Sequence, residues 1–256
     1  MPQLADNPHA LAGRVNHQPT LRNRIYAIFR TFHLQGTKTA ISHYSSRALN
    51  ILTRTGQQEA VCEAEVCDQR FAAVDLDASF AELAIQSPNG RWGLPYVPTK
   101  EEIFHKALQS LPITAEDYHF IDLGAGKGMA LLLACKYPFK SITGVEYSKT
   151  LAEAATRNIH DYLGETGSDR TVQSIWGDAT DFELPEAPTI LYLYNPFQGK
   201  VMDRVIENIE RSLRNKPRDF WVVYGYPWEF RKFDRSPAFN TVESNSDYCI
   251  YRSSFR

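Results

Sequence analysis

One stretch constrains this chain more than any other: His119–Glu146, HFIDLGAGKGMALLLACKYPFKSITGVE. An apolar run ends at Asp122 and enters a turn holding Gly124, Gly126 and Gly128. An apolar helical pattern follows until Pro138, and a second apolar run closes on the acid Glu146. Strand, glycine turn, helix, strand and strand-end acid together form an arrangement for binding nucleotide-like ligands. Glycines let the chain turn sharply and let backbone approach a ligand. Three of them cost conformational entropy that an ordinary strand-to-helix turn does not demand. A helix over 127–137 would aim unpaired N–H groups at whatever lies on the turn.

Regular alternation surrounds this unit. Thr99-Lys100-Glu101-Glu102 has the form of a capping box, and Ile103, Phe104, Ala107, Leu108 and Leu111 mark one face of the helix over about 100–110. The pattern predicts strands at 118–122, 141–145, 171–176, 189–194 and 219–225. Helices are expected at 127–137, 149–163 (opened by Ser148, stopped near Gly164) and 200–214. Repeated strand–helix alternation implies a mostly parallel sheet covered on both faces. Asn240–Ser244 and Tyr248–Ser253 read as a terminal hairpin joined by Asn245-Ser246-Asp247.

The chain divides near residue 98. Residues 1–97 read as a mostly helical extension, with a loose proline-bearing arm over 1–18 and a loop at Ser87–Pro95. Residues 98–256 form the α/β domain. The 256 residues, 43% hydrophobic, suffice for a substantial core. Lys plus Arg number 28 and Asp plus Glu 30, a formal net charge of -2, which argues against a broad nucleic-acid footprint. Cys62, Cys67, Cys135 and Cys249 form no C-x-x-C pair, so no zinc site is expected; Cys135 reads as a buried thiol. No apolar run approaches the length of a membrane span. The expectation is a soluble, cytoplasmic protein.

The Asp122–Gly128 turn with Glu146 resembles motif I of the class I S-adenosylmethionine-dependent methyltransferases. That resemblance implies a Rossmann-like, seven-stranded sheet whose last strand inserts antiparallel between the fifth and sixth. It implies S-adenosyl-L-methionine as cofactor and S-adenosyl-L-homocysteine as product. Gly124, Gly126 and Gly128 would floor the methionyl part, and Asp122 would help hold its amino-acid end. Glu146 would accept the ribose hydroxyls. Gly177-Asp178-Ala179 resembles the family's acidic turn, with Asp178 receiving the adenine amino group. Trp176 is a candidate wall for adenine or an ordinary packing residue. A nicotinamide-dependent Rossmann domain also uses such an acid, but its second mononucleotide half is missing here.

Asn195-Pro196-Phe197 ends the expected central strand. It resembles the Asn/Asp-Pro-Pro-Tyr/Phe signature of N-methyltransferases without its second proline, and also the Asn-bearing strand end of non-SET lysine methyltransferases. The Asn195 side-chain carbonyl, or the backbone carbonyl near Pro196, would accept hydrogens from an acceptor nitrogen. Phe197 would pack against substrate or sulfonium. Tyr96-Val97-Pro98-Thr99 resembles a segment that folds over the cofactor in small protein-lysine methyltransferases, which adds Tyr96 and Thr99 to the cofactor candidates. Tyr226–Phe230 could supply another pocket wall, suited to a cation or to a flat apolar group. The expected activity is methyl transfer, with a nitrogen acceptor such as a protein lysine. Small-molecule N- or O-methylation stays open, with His17, His33 and His43 as candidate bases and residues 1–97 as a substrate lid. A cofactor-binding protein without catalysis also stays open. A nucleic-acid acceptor is disfavoured by the charge balance.

Overall fold

A computed structural model of the protein describes residues 96–164 and 170–255. The expected N-terminal helices, the proline arm, the candidate histidines His17, His33 and His43, and Trp92–Pro95 lie outside the described residues.

The elements run α1 (Glu101–Gln109), β1 (His119–Leu123), α2 (Met129–Ala134), β2 (Ser141–Glu146), α3 (Lys149–Leu163), β3 (Thr171–Trp176) and β4 (Thr189–Tyr194). They continue as α4 (Lys200–Asn215), β5 (Phe220–Gly225), α5 (Phe230–Arg235), β6 (Phe239–Ser244) and β7 (Tyr248–Ser253). All seven strands join one sheet in the order β3-β2-β1-β4-β5-β7-β6. Strands β3 to β5 in that order are parallel, and β7 pairs antiparallel with both β5 and β6. This is the Rossmann-like class I methyltransferase topology, including the inserted seventh strand.

Side-chain alternation divides the core into two layers. Phe120, Ile190, Tyr192, Trp221, Val223, Tyr248 and Ile250 pack on one face with α1 and α2. Ile121, Leu191, Leu193, Val222, Tyr224, Cys249 and Tyr251 pack on the other, with α4 and Phe233 of α5. Helix α1 is anchored by Phe104, which is fully buried and meets Phe120 and Tyr192 edge-on at 5.8 and 5.2 Å. Such contacts add to the area that the rings bury. Strand β3 lies at the edge and is half exposed.

Local details depart from expectation in three places. The capping box does not form: Lys100 is the N-cap, without a side-chain cap bond, and Phe104 N donates to Lys100 O at 3.0 Å. The helix starts one residue too late for Thr99, which is buried instead. Glu101, in the first turn, pairs with Lys136 Nζ at 2.6 Å and His105 at 3.3 Å. Helix α2 is shorter than 127–137, because Gly128 at φ 88 cannot be helical and the turns after Ala134 end in carbonyls capped by Arg170. Cys135 sits in that turn and is only partly buried. Ser148 does cap α3, accepting from Leu151 N, and Gly164 closes it.

Candidate functional site

The strand order reverses between β1 and β4: the chain winds from β1 toward β3, then returns to the other side of β1. Open α/β sheets bind ligands at the carboxyl ends of the strands at such a reversal. A recess open to solvent lies there. Its described lining includes Asp122, Gly124 and Gly126 after β1, Glu146 and Tyr147 after β2, and Asn195, Pro196 and Phe197 after β4. Tyr96 and Thr99 come from the segment before α1, and Tyr194, Tyr226 and Met129 complete much of the wall. A smaller adjoining recess is lined by Asp178, Ala179 and Val145, and shares Gly124, Tyr147 and Phe197 with the first. The two therefore form one slot across the ends of β1, β2 and β4.

The glycine turn is strapped to β2. Gly124 N and Ala125 N both donate to Val145 O, at 2.8 and 3.1 Å. Gly126 N donates to Glu146 Oε2 and Ser148 N to Glu146 Oε1, each at 2.9 Å. Two of the glycines are needed for close approach as well as for positive φ. A Cβ on Gly124 would sit 2.2 Å from Pro196 Cβ, and one on Gly126 would sit 2.2 Å from the Tyr96 ring. Gly124 thus lets the β4-end loop rest directly on the turn, and Gly126 lets Tyr96 do so. Gly128 lies outside the slot. It serves helix packing, with Ala155 3.1 Å from where its Cβ would be.

The floor is acidic and dry. Asp122 and Glu146 are both 3% exposed. Burial holds the Asp122 carboxyl well above the usual carboxylate range, and the neighbouring Glu146 adds to that. Glu146 is pushed up to about 7 by burial, against the opposing pull of its backbone donors at Ser148, Gly126 and Tyr147. Asp178 accepts from Thr180 N at 2.9 Å and from Thr180 Oγ1 at 2.8 Å, which fixes its carboxylate at the rim of the smaller recess.

Two non-glycine residues adopt positive φ among the described residues, and both border the recess: Asn195 (φ 48) and Tyr226 (φ 44). Each follows a strand end, and the strands they follow, β4 and β5, are paired with Tyr194 opposite Gly225. Such backbone costs about 1–3 kcal/mol per residue and clusters where function over-determines geometry. Asn195 is 8% exposed, and its Oδ1 accepts from the Tyr224 hydroxyl at 3.3 Å. Tyr226 meets Tyr194 edge-on at 5.1 Å.

Trp176 is not brought into the slot. It is 54% exposed, donates from its ring nitrogen to Tyr147 O at 3.0 Å, and lies under Lys149 Nζ. Phe197 borders both recesses rather than the acceptor side alone. Sequence reasoning missed Tyr147, Met129 and Tyr194. Tyr147 had a positional signal, as it directly follows the strand-end acid; Tyr194 read only as part of an apolar strand.

No family model matches the chain. A protein-lysine N-methyltransferase of Saccharolobus islandicus (strain REY15A) is 24% identical over 159 residues, spanning 62% of this chain and 91% of that protein. An RNA methyltransferase of Salinibacter ruber, solved with S-adenosyl-L-homocysteine, is 19% identical across 61% of this chain and 92% of its own, with a TM-score of 0.41. The 23S rRNA methyltransferase ErmE is 15% identical across 63% of this chain and 70% of its own, with a TM-score of 0.43. The chain is a distant relative of class I methyltransferase-fold proteins. One expectation is corrected here: the charge balance disfavours a nucleic-acid acceptor, yet RNA methyltransferases are among the similar solved structures. Net charge is a property of the whole chain and does not report the charge at one slot. Among the described residues, no helix is long and apolar enough to cross a membrane.

Proposed function

We propose that the protein is an S-adenosylmethionine-dependent methyltransferase acting on a nitrogen acceptor, and that the acceptor is a protein lysine. The observation that carries the reading is the convergence of Glu146, the glycine turn and Asn195–Phe197 on one slot at the strand-order reversal. The slot fits the cofactor in three respects. Gly124 and Gly126 bring bare backbone to the slot lining, with Pro196 and Tyr96 packed on the faces where a Cβ would lie. Glu146 sets a carboxylate acceptor at the end of β2 on the slot lining, which suits a ribose diol. A ligand bearing positive charge would favour the ionised forms of the buried acids Asp122 and Glu146, against the burial that raises them.

Glu146 would hold the ribose hydroxyls, Asp122 the amino-acid end, and Asp178 the adenine amino group beside Tyr147 and Phe197. When bound, the cofactor supplies an electrophilic methyl group on a positively charged sulfur. Asn195 would accept an N–H from the acceptor, aided by the backbone carbonyl near Pro196, and so aim the nitrogen lone pair. Methyl transfer is an in-line displacement, so alignment supplies much of the rate. Tyr96, Tyr194 and Tyr226 line the recess and would offer ring faces to an incoming aliphatic amine. The lysine assignment is supported by similarity to the Saccharolobus islandicus enzyme.

The test is transfer of labelled methyl from the cofactor into cell extract separated into protein, RNA and small molecules. Methyl-lysine after protein hydrolysis is the expected product. Label in RNA or in small molecules retires the lysine acceptor, and absence of S-adenosyl-L-homocysteine binding retires the methyltransferase.

A further inference from the structure

A buried hydroxyl lies within hydrogen-bond distance of the Asn195 carboxamide oxygen. Tyr224 is fully buried on β5, with its ring 5.8 Å from Phe233 on the sheet face that packs with α4 and α5. Its hydroxyl makes two contacts: Glu229 N at 3.4 Å and Asn195 Oδ1 at 3.3 Å. A backbone N–H can only donate, so the Tyr224 oxygen accepts from Glu229. The single hydroxyl proton is left to be donated, and Asn195 is its recipient. Reversing the Asn195 carboxamide would set its NH₂ against that hydroxyl and orphan a buried proton, the costly kind of unmade bond. Burial also lifts the Tyr224 phenol far above the usual range, so it remains a donor across any working pH.

The same region is fastened along the backbone. Gly199 N donates to Glu229 Oε2 at 2.9 Å, and Lys232 Nζ donates to Gly199 O at 2.8 Å. Tyr226 N donates to Asp247 O at 2.8 Å, tying the loop after β5 to the β6–β7 hairpin. The Glu229 and Lys232 bonds tie the loop after β4 to the segment after β5. Within the loop after β4 the Asn195 backbone keeps its left-handed φ of 48. Backbone fastening alone leaves the carboxamide free to rotate. Among the described residues, the Tyr224 hydroxyl is the contact that distinguishes the Asn195 carboxamide oxygen from its nitrogen.

We infer that Tyr224 is a positioning residue: its hydroxyl fixes the orientation of the Asn195 carboxamide at the acceptor side of the slot. Tyr224 touches no substrate and exchanges no proton in the reaction. The consequence for catalysis rests on the methyltransferase reading above, whereas the geometric claim does not.

The experiment compares wild type, Tyr224→Phe, Asn195→Ala and the double variant, all in the full chain. Tyr224→Phe keeps the ring and removes only the oxygen. Cofactor-product affinity should stay within about threefold by calorimetry, while kcat falls roughly tenfold at little-changed acceptor KM. The double variant should be no slower than Asn195→Ala alone, because the hydroxyl acts only through that side chain. Losses that multiply, or Tyr224→Phe turnover within about twofold of wild type, would overturn the inference. A second readout is independent of turnover: the ¹⁵N side-chain amide signals of Asn195. They should report a rigid group in wild type and a mobile one in Tyr224→Phe. A carboxamide already mobile in wild type, or equally rigid without the hydroxyl, refutes the role. If the signals behave as expected and no methyl transfer occurs to any acceptor, the positioning stands and the functional reading falls.

Discussion

The proposed ribose role of Glu146 predicts a pH limit on cofactor binding whose size follows from the surroundings of that carboxyl. The side chain is 3% exposed and accepts from Gly126 N and Ser148 N at 2.9 Å. Those bonds favour the ionised form, but burial opposes it and prevails, so the carboxyl titrates at about 7 instead of 4.5. A ribose diol donates its hydrogens, and the ionised carboxylate is the better acceptor. With only that form competent, affinity falls about tenfold for each pH unit below 7, at about 1.4 kcal/mol per unit. Binding of S-adenosyl-L-homocysteine should therefore be about tenfold weaker at pH 6 than at pH 8. Stability runs the other way. The folded value lies above the unfolded one, so the native state holds the extra proton between pH 4.5 and about 7. That contribution is fully present below 4.5 and is lost as pH rises through 7, a swing of about 3 kcal/mol. Calorimetric titration from pH 5.5 to 8.5 and urea unfolding over the same range read the two slopes. In Glu146→Gln both Glu146-dependent slopes should vanish and the affinity should be weak throughout. A wild-type affinity flat in pH, or the same slope surviving in Glu146→Gln, refutes the reasoning.

Three further outcomes are expected. Gly126→Val should lose most cofactor affinity while unfolding stays cooperative, since φ is +55 and a Cβ would fall 2.2 Å from Tyr96; a folded variant with unchanged affinity by calorimetry would show that the slot is not the binding site. Asn195→Ala should bind S-adenosyl-L-homocysteine within a few fold of wild type and lose at least about tenfold in kcat, since its contact belongs to the aligned transition state. Near-normal turnover with an intact circular dichroism spectrum would exclude it. Trp176→Ala should leave cofactor affinity within about twofold, because an exposed indole outside the slot contributes little to its contents; a larger loss by calorimetry would return Trp176 to the adenine wall.

Elements whose ends carry their own chemistry were legible. Helix Lys149–Leu163 matches its expected range because Ser148 caps it and Gly164 stops it, and β3, β4 and β7 match because apolar runs meet turn residues at both ends. Legibility failed where a distant partner overrode a local signal. Thr99 has the form of a cap, but burial removes it from that role. The end of α2 depends on Arg170, which lies beyond the whole of β2 and α3. Helix α5, FRKFDR, has Phe233 as its buried residue and is too short and polar to show a period.

The candidate site divides along the same line. Asp122, Gly124, Gly126, Glu146 and Asn195 could be singled out because the backbone's own demands restrict residue type at a positive φ, a tight approach or a strand-end acceptor. Which side chain meets each of them is a matter of tertiary placement. Nothing near Gly124 in the chain announces Pro196, and nothing near Gly126 announces Tyr96, yet those contacts explain why a Cβ cannot be accommodated at either glycine. Tyr224 is the extreme case. In FWVVYG it reads as one more large residue of a fully buried strand, and its ring does pack as one. Replacing it by phenylalanine would leave that pattern unaltered and remove the one hydroxyl that sets Asn195. Sequence patterning therefore identifies positions constrained by the backbone, whereas the orientation of a working group depends on single atoms that patterning does not register.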